Sequence, residues 1–494
     1  MKAIGKTKGS ALMLVIISAL FLIILTGAAY TYLRSSGDTQ RWSRDRIQVK
    51  LTAESGANLA VHMIMGGEDI PQGKEPEWFL GDGLTWFQLP DPLGEVMVVV
   101  DPNDLNDRVL SANAYEVRCL GRISTTEGPL TFGMSTGVMP ENVARFSVFM
   151  DDPDVSGYYG DGYKFDGPFY ANGPVWIYST SAGFNNDPYF YSLSLTSPYY
   201  LAQSTKIHAT QPAVSGGGGN LRLQPYDRML MGQPYFELNA DTIPFGSDEL
   251  DWTSVRTAAE NGGLVLSGAQ VANRMRMMIR NDTLMVKLTA ASPVTKYWLD
   301  SLANPVVWVD LPVLGQEIFL RSYGNMRVDG LSMPLTIGTR GNIVVSGSIL
   351  YQNDNPLDPN NDTMLGLLTV NGDILISRCQ QDPLFPGQWN DGFAIETHMN
   401  VEVDAVLLAL DGVLEAQNYW YPAIKTVFLV MGGYMVQTEG YTGTNTRGYD
   451  IQVYFDPRLM TMHPPFFPNN GRWHVIWWAE EPIMDVIDMI DNGY

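Results

Sequence analysis

The stretch LTIGTRGNIVVSGSILY (335–351) sets short apolar runs between turns that contain glycine. The same pattern returns in GLLTVNGDILIS (366–377) and in VEVDAVLLALDGVLEA (401–416). Short strands that are separated by Gly or Asn-Gly at similar spacing are typical of stacked rungs. We therefore predict a mainly β body that winds as a parallel β-helix or solenoid. Because QNDNPLDPNND (352–362) interrupts the period, a β-sandwich is the alternative.

The rest of the body is also rich in β-type sequence. Helical periodicity nearly vanishes after about residue 85, and short runs such as GEVMVVVD (94–101) follow one another. We predict a small β unit over 68–140, a solenoid-like domain over 141–480 and a C-terminal tail over 481–494.

An apolar segment precedes this body. Ala11 to Tyr30 are 20 residues without a charge, which span about 30 Å as a helix, the thickness of one bilayer core. The apolar core of a secretory signal has only about 7–15 residues. The sequence therefore favours a single membrane span, although TGAA (26–29) leaves a cleaved signal peptide as an alternative.

Charge indicates how the chain is oriented. Three lysines before the span favour a cytoplasmic N-terminus, and five basic residues follow the span on its far side (Lys2, Lys6 and Lys8; Arg34, Arg41, Arg44, Arg46 and Lys50). Residues 51–494 hold 23 Lys/Arg and 51 Asp/Glu, a net charge of −28. Such an acidic body is not expected to bind nucleic acid, and we predict that it is exported to the periplasm or the cell surface.

A second helical segment follows the span. RWSRDRIQVKLTAESGANLAVHMIMGG (41–67) repeats small or apolar residues at steps of four and three, and Gly66-Gly67 is a suitable end (Val49, Ala53, Ala57, Ala60, Ile64). This stripe predicts packing on the chain's own globular part, with a role towards other helices left open for the membrane half. SSGD (35–38) predicts a bend between the two halves.

The N-terminus resembles that of PilX-type minor pilins. A short basic leader ends in Gly9, and Ser10, Ala11 and Leu12 open the apolar helix; AESG (53–56) follows at the distance where this family has a similar motif. The resemblance implies a 1–9 leader that a prepilin peptidase cuts after Gly9, and a helix over 10–67.

The same resemblance implies partners and a place in the cell. Other pilin or pseudopilin subunits and the cytoplasmic membrane would be the partners, with Ala53, Glu54 and Gly56 as helix-interaction residues. Major pilins have Glu at the fifth mature position, where this chain has Leu14, so the resemblance implies a minor or tip subunit in assembly or adhesion.

The body is similar to an uncharacterised bacterial domain family that follows such N-termini. Four stretches carry this similarity: FDGPFYANGPVWI (165–177), GNIVVSGSILY (341–351), LLTVNGDILI (367–376) and DPRLMTMHPPFFP (456–468). The similarity extends over roughly 140–480 and implies an exported, solenoid-like domain without an assigned activity.

Sites for chemistry are weak in this sequence. GMSTG (133–137) matches a nucleophile elbow, but Pro140 opposes the helix that should follow Ser135. His463 and His474 flank a loop without a recognised metal-binding spacing, and Cys119 and Cys379 either pair or stay as two thiols.

Two further predictions concern ligands and turnover. Asp358, Asn360 and Asp362 offer oxygen atoms that a Ca²⁺ ion could use, although the loop lacks the EF-hand order; otherwise we predict no cofactor. We predict that the protein is not an enzyme. A membrane-tethered β-helix enzyme or binding protein for polysaccharide, and a structural envelope protein, remain the alternatives.

Overall fold

The structure is a computed structural model of the chain. It describes residues 7–65, 77–101, 115–151, 164–172, 189–191, 207–209, 236–238, 242–377, 400–417 and 425–481, without positions 83, 273, 290, 312–315, 325, 357, 359–360, 445 and 461. The chain forms two compact units, one with residues 1–104, 115–138 and 477–494 and one with residues 105–114 and 139–476.

The described residues form two α-helices and 25 strands. The helices are α1 (Thr7–Met65) and α2 (Thr253–Glu260). The strands are β1 (Glu77–Leu80), β2 (Phe87–Gln88), β3 (Glu95–Asp101), β4 (Tyr115–Thr125), β5 (Gly128–Asn142), β6 (Val148–Met150), β7 (Lys164–Asp166), β8 (Phe169–Ala171), β9 (Tyr189–Tyr191), β10 (Ile207–Ala209), β11 (Phe236–Leu238), β12 (Leu264–Leu266), β13 (Met275–Arg280), β14 (Thr283–Lys287), β15 (Thr295–Trp298), β16 (Val306–Val309), β17 (Glu317–Ser322), β18 (Leu335–Thr339), β19 (Asn342–Val345), β20 (Leu365–Thr369), β21 (Ile374–Ile376), β22 (Val401–Ala416), β23 (Lys425–Glu439), β24 (Gly448–Phe455) and β25 (Asn469–Glu481).

The first unit combines α1 with a sheet. The strand order is β1–β3–β4–β5–β25, and β2 pairs with β3. The pairs β1–β3, β3–β4 and β4–β5 are antiparallel. The C-terminal half of α1 lies against β3 and β4. Helix α1 continues through residues 35–38, where the sequence predicts a bend; the hydroxyl of Thr39 donates to the carbonyl of Ser35 at 2.8 Å within the continuous helix.

The second unit contains two ladders of parallel strands. One ladder runs β12–β16–β18–β20–β22 and the other β13–β17–β19–β21–β22. Successive strands from β16 to β21 therefore alternate between the ladders, and the 16-residue β22 takes part in both. Parallel pairing does not fit the antiparallel β-sandwich that was the alternative.

Apolar side chains stack in register along both ladders. In the first ladder, residues that face one another on neighbouring strands are 30, 30 and 40 positions apart in sequence, and all are fully buried (Val307, Ile337, Leu367, Leu407). The second ladder has a matching row (Ile318, Ile343, Ile374, Leu414). These rows form one continuous hydrophobic core.

Stacked turns link the two ladders. Gly341, Gly372 and Gly412 lie above one another at the corner between them, and each is in close contact with the next backbone. A Cβ atom on Gly412 would overlap the carbonyl oxygen of Gly372, and one on Gly372 would overlap the carbonyl group of Gly341. Glycine is thus required here by the close approach of one backbone to another.

Polar side chains complete the turns. The hydroxyl of Thr369 donates to the carbonyl of Gly341 at 2.6 Å and accepts from the amide of Gly372 at 3.1 Å. The side-chain oxygen of Asn342 accepts from the amide of Asp373 at 3.0 Å, and the Asp373 carboxylate accepts from the amide of Val413 at 3.1 Å. The buried backbone groups of each turn are satisfied by the neighbouring turn.

We expect Gly412→Ala to lower the free energy of unfolding by about 1–3 kcal/mol, because the added methyl group must displace a backbone carbonyl in a packed turn. Gly324→Ala is the matched control, since the nearest atom to its new Cβ is the Asp329 carboxylate at 3.6 Å. Denaturant unfolding of both variants measures the difference. Equal stability of the two variants would contradict the tight stacking.

Candidate functional site

The N-terminal half of α1 is an apolar surface without cover. Its large side chains between Met13 and Leu25 are 52–69% exposed, and Tyr30 is 67% exposed. In the described part of the chain, α1 is the one helix that is long and apolar enough to cross a membrane. The predicted processing residues Gly9 and Ser10, followed by Ala11 and Leu12, lie near the start of this helix.

Two threonine hydroxyls of this half are satisfied within the helix. The hydroxyl of Thr26 donates to the carbonyl of Leu22 at 2.7 Å, and that of Thr31 donates to the carbonyl of Gly27 at 2.9 Å. An unsatisfied hydroxyl in hydrocarbon would cost several kcal/mol. These two hydroxyls therefore do not oppose the placement of the apolar segment in lipid.

The C-terminal half of α1 is in a different environment. The small-residue stripe predicted from the sequence is buried, with each member at most 1% exposed (Val49, Ala53, Ala57, Ala60, Ile64). The stripe packs on the sheet of the same unit, as its periodicity predicted. Half of the helix is thus held by the protein and half is left uncovered.

Two glycines allow the helix to lie close to the sheet. A Cβ atom on Gly121 would be 2.5 Å from the backbone nitrogen of Ala53. A Cβ atom on Gly56 would be 2.7 Å from the Sγ of Cys119 and from a methyl carbon of Val96. Ala53 and Gly56, predicted as helix-interaction residues, are thus occupied by their own sheet.

Glu54, the third predicted interaction residue, is on the other flank of the helix. It is half-buried and lines a groove together with Lys50 and Asn58 of α1 and with Trp478 and Glu480 of β25. Lys50 Nζ lies 2.6 Å from a carboxylate oxygen of Glu480. This hydrogen bond raises the pKa of Lys50 and lowers the pKa of Glu480.

We expect Gly56→Ala to lower the melting temperature of the full-length protein in detergent, with a loss of about 1–3 kcal/mol, because the methyl group cannot fit between helix and sheet. Gly37→Ala adds the same atom to the same helix at a position with no atom within 4 Å. This control should keep or gain stability, since alanine favours helix by up to about 1 kcal/mol. A loss in both variants would argue against the close contact.

Cys119 is a free thiol and not a reactive one. It is fully buried, and burial raises its pKa to about 12. A thiol in that state is neither a nucleophile nor a good metal ligand at neutral pH. Cys379, with which a disulfide bond was one of the two predicted alternatives, lies outside the described residues.

The structure does not form a nucleophile elbow at Ser135. This residue is in the interior of β5, opposite Arg118 of β4, and it is fully buried. A nucleophile elbow needs an exposed hydroxyl at a turn from strand to helix. The GMSTG match is therefore a strand sequence.

Of the two histidines that flank the loop before β25, His463 has a side chain that the structure describes. His463 is buried, its Nδ1 is 3.1 Å from the carbonyl oxygen of Pro464, and burial lowers its pKa to about 4. His474 lies in β25. Among the described residues, no group of three His, Cys, Asp or Glu side chains could hold a metal ion.

The predicted calcium ligands fall in the loop between β19 and β20. A carboxylate oxygen of Asp358 accepts a hydrogen bond from the Asn353 side chain at 2.8 Å, and Asp362 is exposed. Asn360 lies outside the described residues. The predicted calcium site therefore stays a prediction.

Other polar groups hold this loop together. The Asn361 side chain donates to the carbonyls of Asn353 and Asn355, both at 3.0 Å. The guanidinium of Arg458 donates to the carbonyl of Asn361 at 2.8 Å. Amide and guanidinium donors thus bind backbone carbonyl groups of this loop and hold its path.

One buried charge cluster was not predicted from the sequence. Asp404 is fully buried in β22; one of its oxygens accepts from Arg327 at 2.6 Å and from the backbone amide of Tyr351 at 2.8 Å. Arg327 also binds Glu402 at 2.6 Å and Asp354 at 3.0 Å. The sequence does contain a sign of this buried charge, since Asp404 interrupts the apolar run of VEVDAVLLAL.

This cluster connects three segments of the second unit and does not form an open site. Burial raises the pKa of Asp404 to about 6, against the effect of the hydrogen bond from Tyr351 and of the Arg327 charge. The raised value means that the folded protein binds a proton more readily than the unfolded chain does. Protonation of Asp404 therefore stabilises the fold at low pH, and this contribution is lost as the pH rises through the folded-state pKa.

We expect the free energy of unfolding to fall by up to about 3 kcal/mol as the pH rises from about 4 to about 6, because Asp404 must then ionise while buried. Asp404→Asn should flatten this slope, whatever its effect on stability at one pH. Asp354→Asn is the control, since it removes a half-exposed carboxylate from the same guanidinium. Denaturant titrations across this pH range and up to neutral pH compare the three proteins. An unchanged slope in Asp404→Asn would assign the pH dependence to other groups.

Comparison with known proteins adds no relative: no family model, no curated protein and no solved structure matches this chain. The likeness to PilX-type minor pilins therefore stays a prediction from the N-terminal residues.

Proposed function

We propose that this protein is a membrane-anchored, pilin-like subunit, a minor or tip component of a type IV pilus or related pseudopilus. It acts in assembly or adhesion, through binding and not through turnover. One observation supports this proposal most: a single unbroken helix has an exposed apolar half and a half that is packed on an antiparallel sheet. Such a helix can stay in lipid before assembly and can pack against other helices afterwards.

The body is proposed to be a parallel β-helix on the outer side of the cytoplasmic membrane. The support is the alternation of successive strands between two parallel ladders with stacked apolar rows. The net charge of −28 over residues 51–494 favours solubility outside the cytoplasm and gives no attraction to nucleic acid. In this arrangement α1 is the part that meets the membrane and other subunits, and the β-helix is the part presented outwards.

We expect the mature protein to begin at Ser10, with the apolar helix retained. Removal of the leader also removes three lysines, each of which costs roughly 2.5–3.5 kcal/mol to move into hydrocarbon, so cutting would permit the helix to leave the membrane. Gly9→Val should accumulate uncut protein in cells that contain a prepilin peptidase. Gly5→Val, which changes a glycine four residues earlier in the same leader, should still be cut.

Mass spectrometry of the N-terminus decides between the alternatives. A mature start near Tyr30 would mean a discarded signal peptide, and an intact Met1 would mean a plain anchor, as in a structural envelope protein. Either result would overturn the pilin-like assignment. Equal cutting of the two valine variants would also count against a peptidase site at Gly9.

A further inference from the structure

One flank of α1 combines exposed apolar side chains with positive charge. Ile47 and Leu51 are 61% and 49% exposed, and each lies about 160° around the helix from the buried residue Val49, so both face away from the protein's own sheet. Arg44 and Lys50 lie on either side of Ile47, each about 60° away. These four residues, Arg44, Ile47, Lys50 and Leu51, form the Ile47 flank. A segment that covers it must combine apolar side chains with negative charge.

The last described strand brings the chain to this flank. Lys50 Nζ lies 2.6 Å from a carboxylate oxygen of Glu480, and β25 ends one residue later, at Glu481. This ion pair is on the surface and adds little stability, but it shows where the strand ends relative to α1. Trp478 of β25 lines the groove at the same place. Residues 482–494 therefore begin beside Lys50.

Residues 482–494 lie outside the described structure, and their sequence, PIMDVIDMIDNGY, is both apolar and acidic. Four apolar residues recur at steps of three, one and three, the spacing of one face of a helix (Ile483, Val486, Ile487, Ile490). Three aspartates alternate with them, without a basic residue (Asp485, Asp488, Asp491). Pro482 and Asn492-Gly493 are typical of the two ends of a helix. A helix of about ten residues is marginal alone in water, so this pattern predicts a helix that needs a surface to fold on.

We infer that residues 482–494 fold as an amphipathic helix along the Ile47 flank and cover Ile47 and Leu51. Charge sets the direction of this helix. Residues 34–50 of α1 hold five basic and two acidic residues, a net charge of +3, whereas residues 51–65 hold Glu54 and no Lys or Arg. The three aspartates therefore favour the path from Lys50 towards the N-terminal end of α1, where the charges of +3 and −3 balance.

The dimensions of the two segments agree with this path. Ten helical residues after Glu481 extend for about 15 Å, which is the distance along α1 from Lys50 to Gln40. Because the segment is joined to β25 beside its docking surface, its effective concentration there is on the order of millimolar, and a weak contact suffices to hold it. The inference concerns the first unit alone and does not depend on the pilin-like assignment.

Pairs of cysteines in the full-length chain, in lipid nanodiscs, test this position. Cys379→Ser is included in every variant, so that the native thiol left is the buried Cys119. Gln40→Cys with Ile490→Cys should form a disulfide bond within one chain under mild oxidation. Trp42→Cys with Ile490→Cys is the matched control, since Trp42 is exposed and only two residues along α1 from Gln40, but about 160° away around the helix. Equal yields from the two pairs, or a bond from Gln40→Cys only between two chains, would overturn the inference.

The reactivity of a cysteine beneath the segment is a second test. In the same background, Ile47→Cys should react with a maleimide about fivefold faster or more when Ile487→Glu is added, because a carboxylate on the apolar face opposes docking. Met489→Glu is the matched control: it adds the same charge about 160° away from Ile487, and the rate should stay within about twofold of that with the native segment. Equal rates in all three proteins would mean that this segment does not cover Ile47, and would overturn the inference.

Discussion

The β-rich unit depends on a contact between backbones that only glycine permits. At the corner between its two ladders, Gly341, Gly372 and Gly412 stack so closely that a side-chain atom on one would occupy the position of its neighbour's carbonyl group. This contact sets how closely successive turns approach, and the threonine and asparagine hydrogen bonds at the same corner connect each turn to its neighbour. The isoleucine and leucine rows of both ladders face inwards and form the core.

The first unit uses small residues for another purpose. Gly121 and Ala53 bring helix and sheet together over half of α1, and the other half has large side chains and no cover from the described protein. The C-terminal half of α1 is therefore buried in the protein, and in the proposed function its N-terminal half lies in lipid. Charged and aromatic residues of α1 lie between the apolar segment and the half that packs on the sheet. In this part of the helix, Ile47 and Leu51 are also exposed.

Local patterns predicted much of this arrangement. The β-rich character of the body followed from the Gly-containing turns of 335–377, and the buried face of α1 followed from the steps of three and four between Val49 and Ile64. These features depend on neighbours in sequence, where periodicity is informative. Helix α1 continues through residues 35–38 because a glycine in a helix costs only about 1 kcal/mol, too little to interrupt a long helix.

Contacts between distant residues were beyond the sequence. Arg327 meets Asp404 across 77 positions, and Asn361 turns its amide towards two carbonyls where a calcium site was predicted. In both places the residue types could bind several kinds of partner. The fold decides which partner lies within hydrogen-bond distance. The sequence also contains no sign of the groove that Glu54 and Trp478 line, because the end of β25 belongs to the first unit although it lies at the far end of the chain.

The burial of Cys119 has a consequence for chemical reactivity. Its sulfur lies under Gly56 of α1, fully shielded from solvent. Oxidants and alkylating reagents reach this thiol only when the helix lifts from the sheet, so the reaction rate of Cys119 and the docking of α1 follow one equilibrium. In an oxidising compartment the same packing that joins helix and sheet also protects the unit's only described cysteine from modification.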